Sequence, residues 1–270
     1  MDIENFRAFE HAGWVNVPQQ YHQAWGNLTS QTIPALLDAV GVKAGIKLLD
    51  IATGPGYVAG AAAQRGAQVL AVDFSSAMIA QARQIYPEVD FREGDAEQLP
   101  FAAEIFDAGV MNFGILHLAR PDEALREGCR VLKSGGRFAF TAWAPPEETV
   151  GFRIVLRAIQ EHGTLDVQLP EGPPFFRFGN PEESVRSLTE AGFTSPQVVK
   201  VPQLWRLPVR GGLFEAMKES TVRTAGLLRS QSPKALARIA DVIRAGTEPY
   251  RKGDVLDLPM PAVLASGTKK

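Results

Sequence analysis

Apolar runs of strand length alternate with helix-length segments from about residue 47 to 143. KLLDIA (47–52), AQVLAVD (67–73), VDFREG (89–94), FDAGVMN (106–112) and GRFAFTAW (136–143) read as strands. Their near-continuous hydrophobicity suits parallel strands covered on both faces better than a half-solvated antiparallel sheet. Tyr57–Arg65, Ser75–Tyr86 and Asp122–Leu132 read as the helices between them, with Gly66 ending the first and Gly135-Gly136 following the third. Strand and helix alternating through short links predict an α/β fold built on a doubly wound parallel sheet.

The flanks follow other patterns. Residues 1–44 read as a helical cap, in which Ser30 can cap the segment ending at Ala39-Val40 and Gly41 can stop it. Residues 145–180 are rich in proline and glycine and carry the cluster Phe175, Phe176 and Phe178. At Asn180-Pro181-Glu182-Glu183 a capping side chain, a first-turn proline and a glutamate three residues on mark a helix start, and Gly192 marks its end. VVKVPQLWRL (198–207) reads as one strand, about 211–229 and 233–245 as helices, and Pro261–Ser266 as the last strand. Pro259 and Pro261 suit the start of that strand. The expected organisation is a cap at 1–44 and one domain at 45–270, with substrate-side insertions at about 145–180 and 211–250.

Composition narrows the classes. The chain has 270 residues, is 45% hydrophobic and 21% charged, and carries a formal net charge of -2. That balance allows a sizeable core and lacks the basic surplus of backbone-driven nucleic-acid binding. No apolar stretch reaches the length of a membrane span, and the N-terminus lacks a basic-then-apolar signal layout. A single cysteine, Cys129, excludes an intrachain disulfide, and four scattered histidines offer no zinc spacing. The expectation is a soluble, cytoplasmic protein with no metal, acting on a small molecule as a monomer or homodimer.

The most informative segment is LLDIATGPGY (48–57). A glycine-rich turn between the first strand and the next helix lets a ligand approach bare backbone near the helix's positive end. Asp73 closes the second strand, where a carboxylate can accept both hydroxyls of a ribose. Together these indicate an adenosine-type ligand without saying which. Asp50 stands just before the turn, where it can orient the turn or reach a ligand amine, and where it opposes a pyrophosphate. Asp95, in GDAEQLPF (94–101), stands at the end of the third strand, where it can accept from adenine's amino group. Three acids at three successive strand ends are more specific than any one.

With VLAVDFSSAMIAQAR, FREGDAEQLPF, FDAGVMNFGILHL and RVLKSGGRFAFTAW following in order, the chain resembles the class I S-adenosylmethionine-dependent methyltransferases. Within them it is similar to the ubiquinone and menaquinone biosynthesis branch. The resemblance implies a Rossmann-like, seven-stranded, mostly parallel sheet whose last strand is reversed. It implies S-adenosyl-L-methionine as cofactor and S-adenosyl-L-homocysteine as product. Asp50, Ala52, Gly54 and Gly56 would surround the methionine part, Asp73 the ribose, and Phe74 and Met78 the adenine. Asp95 and Ala96 would read the adenine edge, while Asn112 and Phe113 would line the sulfonium pocket. The chain departs from the commonest turn by having Ala52-Thr53 where Gly-Cys or Gly-Ser is frequent.

The acceptor side is less patterned. His117, His11 and Tyr21 are the candidates for a general base, and Tyr21 could also touch the cofactor from the cap. Arg153, Arg177, Arg206, Arg210 and Arg223 interleave with Phe152, Phe175, Phe176, Phe178, Trp205 and Phe214. That suits an apolar pocket in which one arginine receives a carboxylate or phenolate, against a core with snorkelling surface arginines. The leading reading is methyl transfer to an O, N or C atom of a small, hydrophobic or aromatic metabolite. The rivals are an NAD(P)-dependent oxidoreductase, and a relative that binds the cofactor without methylating (a pericyclase, lyase or binding protein).

Overall fold

A computed structural model describes residues 2–270. The chain runs α1 (Ile3–Asn16), α2 (Pro18–Thr29), α3 (Ile33–Ala39), β1 (Lys47–Ile51), α4 (Tyr57–Gln64), β2 (Gln68–Asp73), α5 (Ser76–Ile85), β3 (Asp90–Glu93) and β4 (Phe106–Asn112). It continues through α6 (Pro121–Val131), β5 (Leu132–Trp143), α7 (Val150–His162), α8 (Pro181–Glu190), β6 (Phe193–Val201) and β7 (Leu204–Pro208). Then come α9 (Gly212–Glu219), α10 (Arg223–Arg229), α11 (Pro233–Thr247), β8 (Arg251–Lys252), β9 (Val255–Pro259) and β10 (Ala262–Lys269).

Seven strands form one sheet in the order β3-β2-β1-β4-β5-β10-β6. The first five are parallel, and β10 runs antiparallel to both β5 and β6. The doubly wound sheet with a reversed last strand is therefore present. Strand order turns around at β1 and β4, and the crevice at such a switch, beyond the carboxyl ends of the strands, is where α/β sheets bind ligands.

The central strands are apolar because both faces are covered. Leu36, Leu37, Val58 and Ala62 of α3 and α4 pack on Leu48, Ala108, Val110 and Ala139. On the other side Ala124, Leu125 and Leu188 of α6 and α8 meet Phe138 and Phe140. Of the segment expected as a cap, α3 thus belongs to the layer of the sheet, whereas α1 and α2 cross its carboxyl edge.

Several local expectations are corrected. Residues 198–207 are two strands in different sheets. Pro202 has no N–H to continue the ladder, so β6 stays with β10 while β7 pairs with β9 in a three-stranded sheet. Residues 211–229 are two helices. The Ser220 and Thr221 hydroxyls bond back to Ala216 and Met217 carbonyls, and Thr221 Oγ1 receives the Ala225 N–H at 3.0 Å to start α10. Ser30 is no cap: its backbone is helical, at φ -72 and ψ -17, where a cap needs an extended residue. The 145–180 stretch contains α7, whose Phe152, Val155, Ala158 and Ile159 are buried at helical spacing. The strand placed at 136–143 begins at Leu132, with Gly135 inside it at φ 78. Pro259 ends β9, a strand not anticipated, instead of opening the last one.

Candidate active site

The turn after β1 is held from below. Thr53 N–H donates to the Val72 carbonyl at 3.0 Å, and Gly56 N–H to the Thr53 carbonyl at 3.0 Å. Gly56 has φ 83, and a Cβ there would stand 2.7 Å from the Phe91 ring, so glycine is required on both counts. Gly54 has φ 54, and nothing lies within 4 Å of where its Cβ would stand. Ala52 occupies the left-handed region at φ 54, as does Phe113 at φ 55. Strained non-glycine residues gather at functional sites, and both of these line the cleft.

Asp73 ends β2 facing that turn. Its Oδ2 accepts the Gly54 N–H at 2.8 Å and its Oδ1 the Ser75 N–H at 2.9 Å. Burial pushes its carboxyl up to about 6, against the two backbone N–H donors, which pull it down. Asp50 lies beneath the turn, fully buried, with Oδ2 accepting the Thr53 hydroxyl at 2.6 Å. Its Oδ1 makes no hydrogen bond of good geometry among the described residues. Burial pushes Asp50 up to about 7, with the Thr53 bond opposing and the charge of Asp73 adding to the shift.

The cleft above these residues encloses about 970 Å³, its open mouth included. Ala52, Gly54, Asp73, Phe74, Met78, Asp95, Ala96, Asn112, Phe113, His117 and Tyr21 all line it. Asp50, Gly56 and His11 do not. Asp50 lies under the turn, Gly56 closes it with its Cβ position against Phe91, and His11 packs edge-on against Phe74 at 5.2 Å.

The far wall is fastened to the sheet. Asn112 Oδ1 accepts hydroxyls from Thr32 at 2.8 Å and Thr141 at 2.6 Å, while its Nδ2 donates to the Thr29 carbonyl at 3.0 Å. Phe113 N–H donates to Thr141 Oγ1 at 2.9 Å, and its ring stacks on Trp143 at 4.1 Å.

Known proteins can now be compared. Residues 49–140 match the family described as Methyltransferase domain. The demethylmenaquinone methyltransferase of Paenarthrobacter aurescens is 40% identical over 111 residues, 41% of this chain and 44% of the relative. The chain spans about half the length of the curated relatives it matches. A SAM-dependent methyltransferase of Thermotoga maritima superposes with a TM-score of 0.56 at 20% identity, over 97% of this chain and all of the other. Phosphoethanolamine N-methyltransferase 2 of Haemonchus contortus, solved with S-adenosylhomocysteine, gives 0.59 at 22% identity, over 98% of this chain and 60% of its own. These two likenesses concern the fold.

Around the matched segment, sequence reasoning missed the ion pairs and the buried acid that α1 brings. Arg7 pairs with Asp95 and Glu97, and Glu97 also accepts the Ala119 and Arg120 N–H groups at 2.8 and 2.9 Å. Glu10 is fully buried and accepts from Trp14 Nε1 at 3.0 Å. The signal was present: Phe6, Glu10 and Trp14 recur at intervals of four, which puts an acid on the buried stripe of a helix. Of the five arginines in the variable region, Arg223 reaches a cavity beside the cleft. Arg177 pairs with Asp122, Arg206 with Asp257, and Arg153 with the Tyr250 hydroxyl.

Proposed function

We propose that this chain transfers the methyl group of S-adenosylmethionine to a small, largely apolar and flat metabolite. One observation carries the reading. Asp73, at the end of β2, stands beside the bare Gly54 backbone in a cleft that Asp95 also lines, one residue beyond the Gly94 N–H that donates to the Asp73 carbonyl at 3.0 Å.

The residues suit such a nucleoside. A side chain at position 54 would project into open space that bare backbone leaves to a ligand. Each Asp73 oxygen keeps a second lone pair for a ribose hydroxyl after serving Gly54 and Ser75. Phe74 and Met78 offer apolar contact for a base, and Asp95 and the Ala96 backbone offer it polar partners. Asp50, buried behind the turn, accepts the Thr53 hydroxyl and so shapes the loop at the methionine end. Ala52, Gly54, Asn112 and Phe113 enclose the space between.

Bound there, the donor brings a methyl group already activated by a positive sulfur. The protein then has to align the acceptor and exclude water, and alignment alone can supply about 7–11 kcal/mol of a bimolecular barrier. α1 and α2 cover the cleft, with Trp14 and Tyr21 as its apolar roof.

The test is turnover. Incubation with S-adenosylmethionine and a panel of phenols, hydroquinones and amines, followed by mass spectrometry, is expected to give S-adenosylhomocysteine only with some acceptors. Binding of S-adenosylhomocysteine without turnover across the panel would favour a non-methylating relative. Binding of NADH or NADPH instead would favour an oxidoreductase.

A further inference from the structure

His117 follows β4 and lines both the cleft and a smaller side cavity of about 410 Å³, its open side included. The side cavity is lined by Trp25, Trp143, Phe152 and Phe175, an aromatic wall that suits an aromatic guest. His117 is fixed at this junction from outside the matched segment. Its Nδ1 lies 3.1 Å from Glu10 Oε2, and Trp14 and Phe175 meet its ring edge-on at 4.7 and 6.0 Å. The Glu10 side chain is 0% exposed, that of His117 21%.

The Glu10 carboxylate is held on both oxygens. Oε1 accepts Arg223 Nε at 2.9 Å, and Oε2 accepts Trp14 Nε1 as well as His117. An oxygen that can only accept obliges Nδ1 to carry the hydrogen, which leaves the lone pair of the neutral ring on Nε2. Among the described residues, Asp73 of β2, Arg7 of α1, Asp95 and Glu97 line the same cleft as His117, and Arg223 of α10 stands behind Glu10.

The two other candidate bases are unsuited. Burial pushes the Tyr21 phenol up to about 12, so it keeps its proton. His11 lines neither cavity.

We propose that His117 Nε2 is the base that takes the hydroxyl proton of a phenolic acceptor lodged in the side cavity, with Glu10 as its positioning residue. The inference rests on the methyltransferase reading and narrows its substrate class. The acceptor O–H bond breaks, its electron pair stays on oxygen, and the proton moves to Nε2. The ring becomes an imidazolium whose charge the Glu10 carboxylate balances. The resulting phenolate is the nucleophile, through oxygen or through a ring carbon that it activates.

The test uses 4-nitrophenol, whose colour reports its ionisation, added to the ligand-free full chain about one pH unit below the dye's own midpoint. Wild type is expected to bind the dye as the yellow phenolate, lowering its apparent pKa by about one unit, a tenfold change. Glu10→Gln should bind it uncoloured, because an amide can donate to Nδ1 and so move the ring hydrogen to Nε2; His117→Gln should do the same. Absence of dye binding, colourless binding by wild type, or undiminished colour in Glu10→Gln would each overturn the proposal. Should Glu10→Gln fail to fold, nitrogen NMR of wild type decides: hydrogen on Nδ1 is expected, and hydrogen on Nε2 of the neutral ring would overturn it. Thermal shift with S-adenosylhomocysteine on the same samples separates the failures. A shift with colourless dye removes only the phenol inference, whereas no shift removes the methyltransferase reading beneath it.

Discussion

Asp73 Oδ2 accepts the Gly54 N–H at 2.8 Å, so the acid that ends β2 braces the turn that ends β1. The residue that would hold a ribose therefore also shapes the loop beside it. Asp73→Asn keeps one acceptor for that brace but loses the charged acceptors for two hydroxyls. Charge-assisted bonds contribute about 1.5–3 kcal/mol each, so S-adenosylhomocysteine affinity should fall at least a hundredfold by calorimetry. Circular dichroism should report an unchanged fold.

The two glycines of the turn separate stability from binding. Gly56→Ala meets Phe91 at 2.7 Å in a left-handed backbone and should cost about 2–4 kcal/mol. Gly54→Ala carries the backbone cost alone, about 1 kcal/mol, and its methyl group projects into open space. Urea unfolding should rank Gly56→Ala as clearly the less stable, while ligand titration should find Gly54→Ala folded and weakened in binding.

Asp50 and Asp73 make stability depend on pH. Burial raises the folded-state values to about 7 and about 6, above the ordinary aspartate range. The folded chain then holds protons that the unfolded chain has released, so this contribution is present below about pH 4 and fades as pH rises through about 7. Asp50→Asn removes one member of the pair. It should raise the ligand-free melting temperature at pH 8 and have little effect at pH 4. An equal shift at both values would contradict the burial of that charge.

Arg223 and Glu10 should couple strongly. Arg223→Met leaves a buried carboxylate without its arginine and should destabilise by about 3–5 kcal/mol. Adding Glu10→Gln removes the stranded charge, so the double variant should be more stable than Arg223→Met alone. Additive losses in a thermal double-mutant cycle would indicate that the two act independently.

The parallel strands and the turn at 52–56 were legible because their chemistry is local. Continuous apolar runs mean burial on both faces, and Gly54 and Gly56 answer a backbone need that the neighbouring residues reveal. The reversed strand was legible only through family resemblance. β7 was read as one strand with β6, and β9 was missed, because Pro202 redirects the chain between sheets, which depends on where Met260 and Pro261 return. Within the site, Asp73 and Asp95 were found from their places at strand ends. Glu10 was not, because its meaning depends on His117 and Arg223, 107 and 213 residues away. Asp50 could orient the turn or reach a ligand amine, and it lies under the turn, bound to Thr53.

The measurement closest to the central claim is calorimetric titration of the purified chain with S-adenosylhomocysteine, and separately with NADH and NADPH. Saturable one-site binding of S-adenosylhomocysteine alone is the predicted result. At 100 times the dissociation constant it should add about 2.7 kcal/mol of stability. Binding of a nicotinamide, with none of S-adenosylhomocysteine, would contradict the reading of Asp73, Asp95 and the Gly54 turn together.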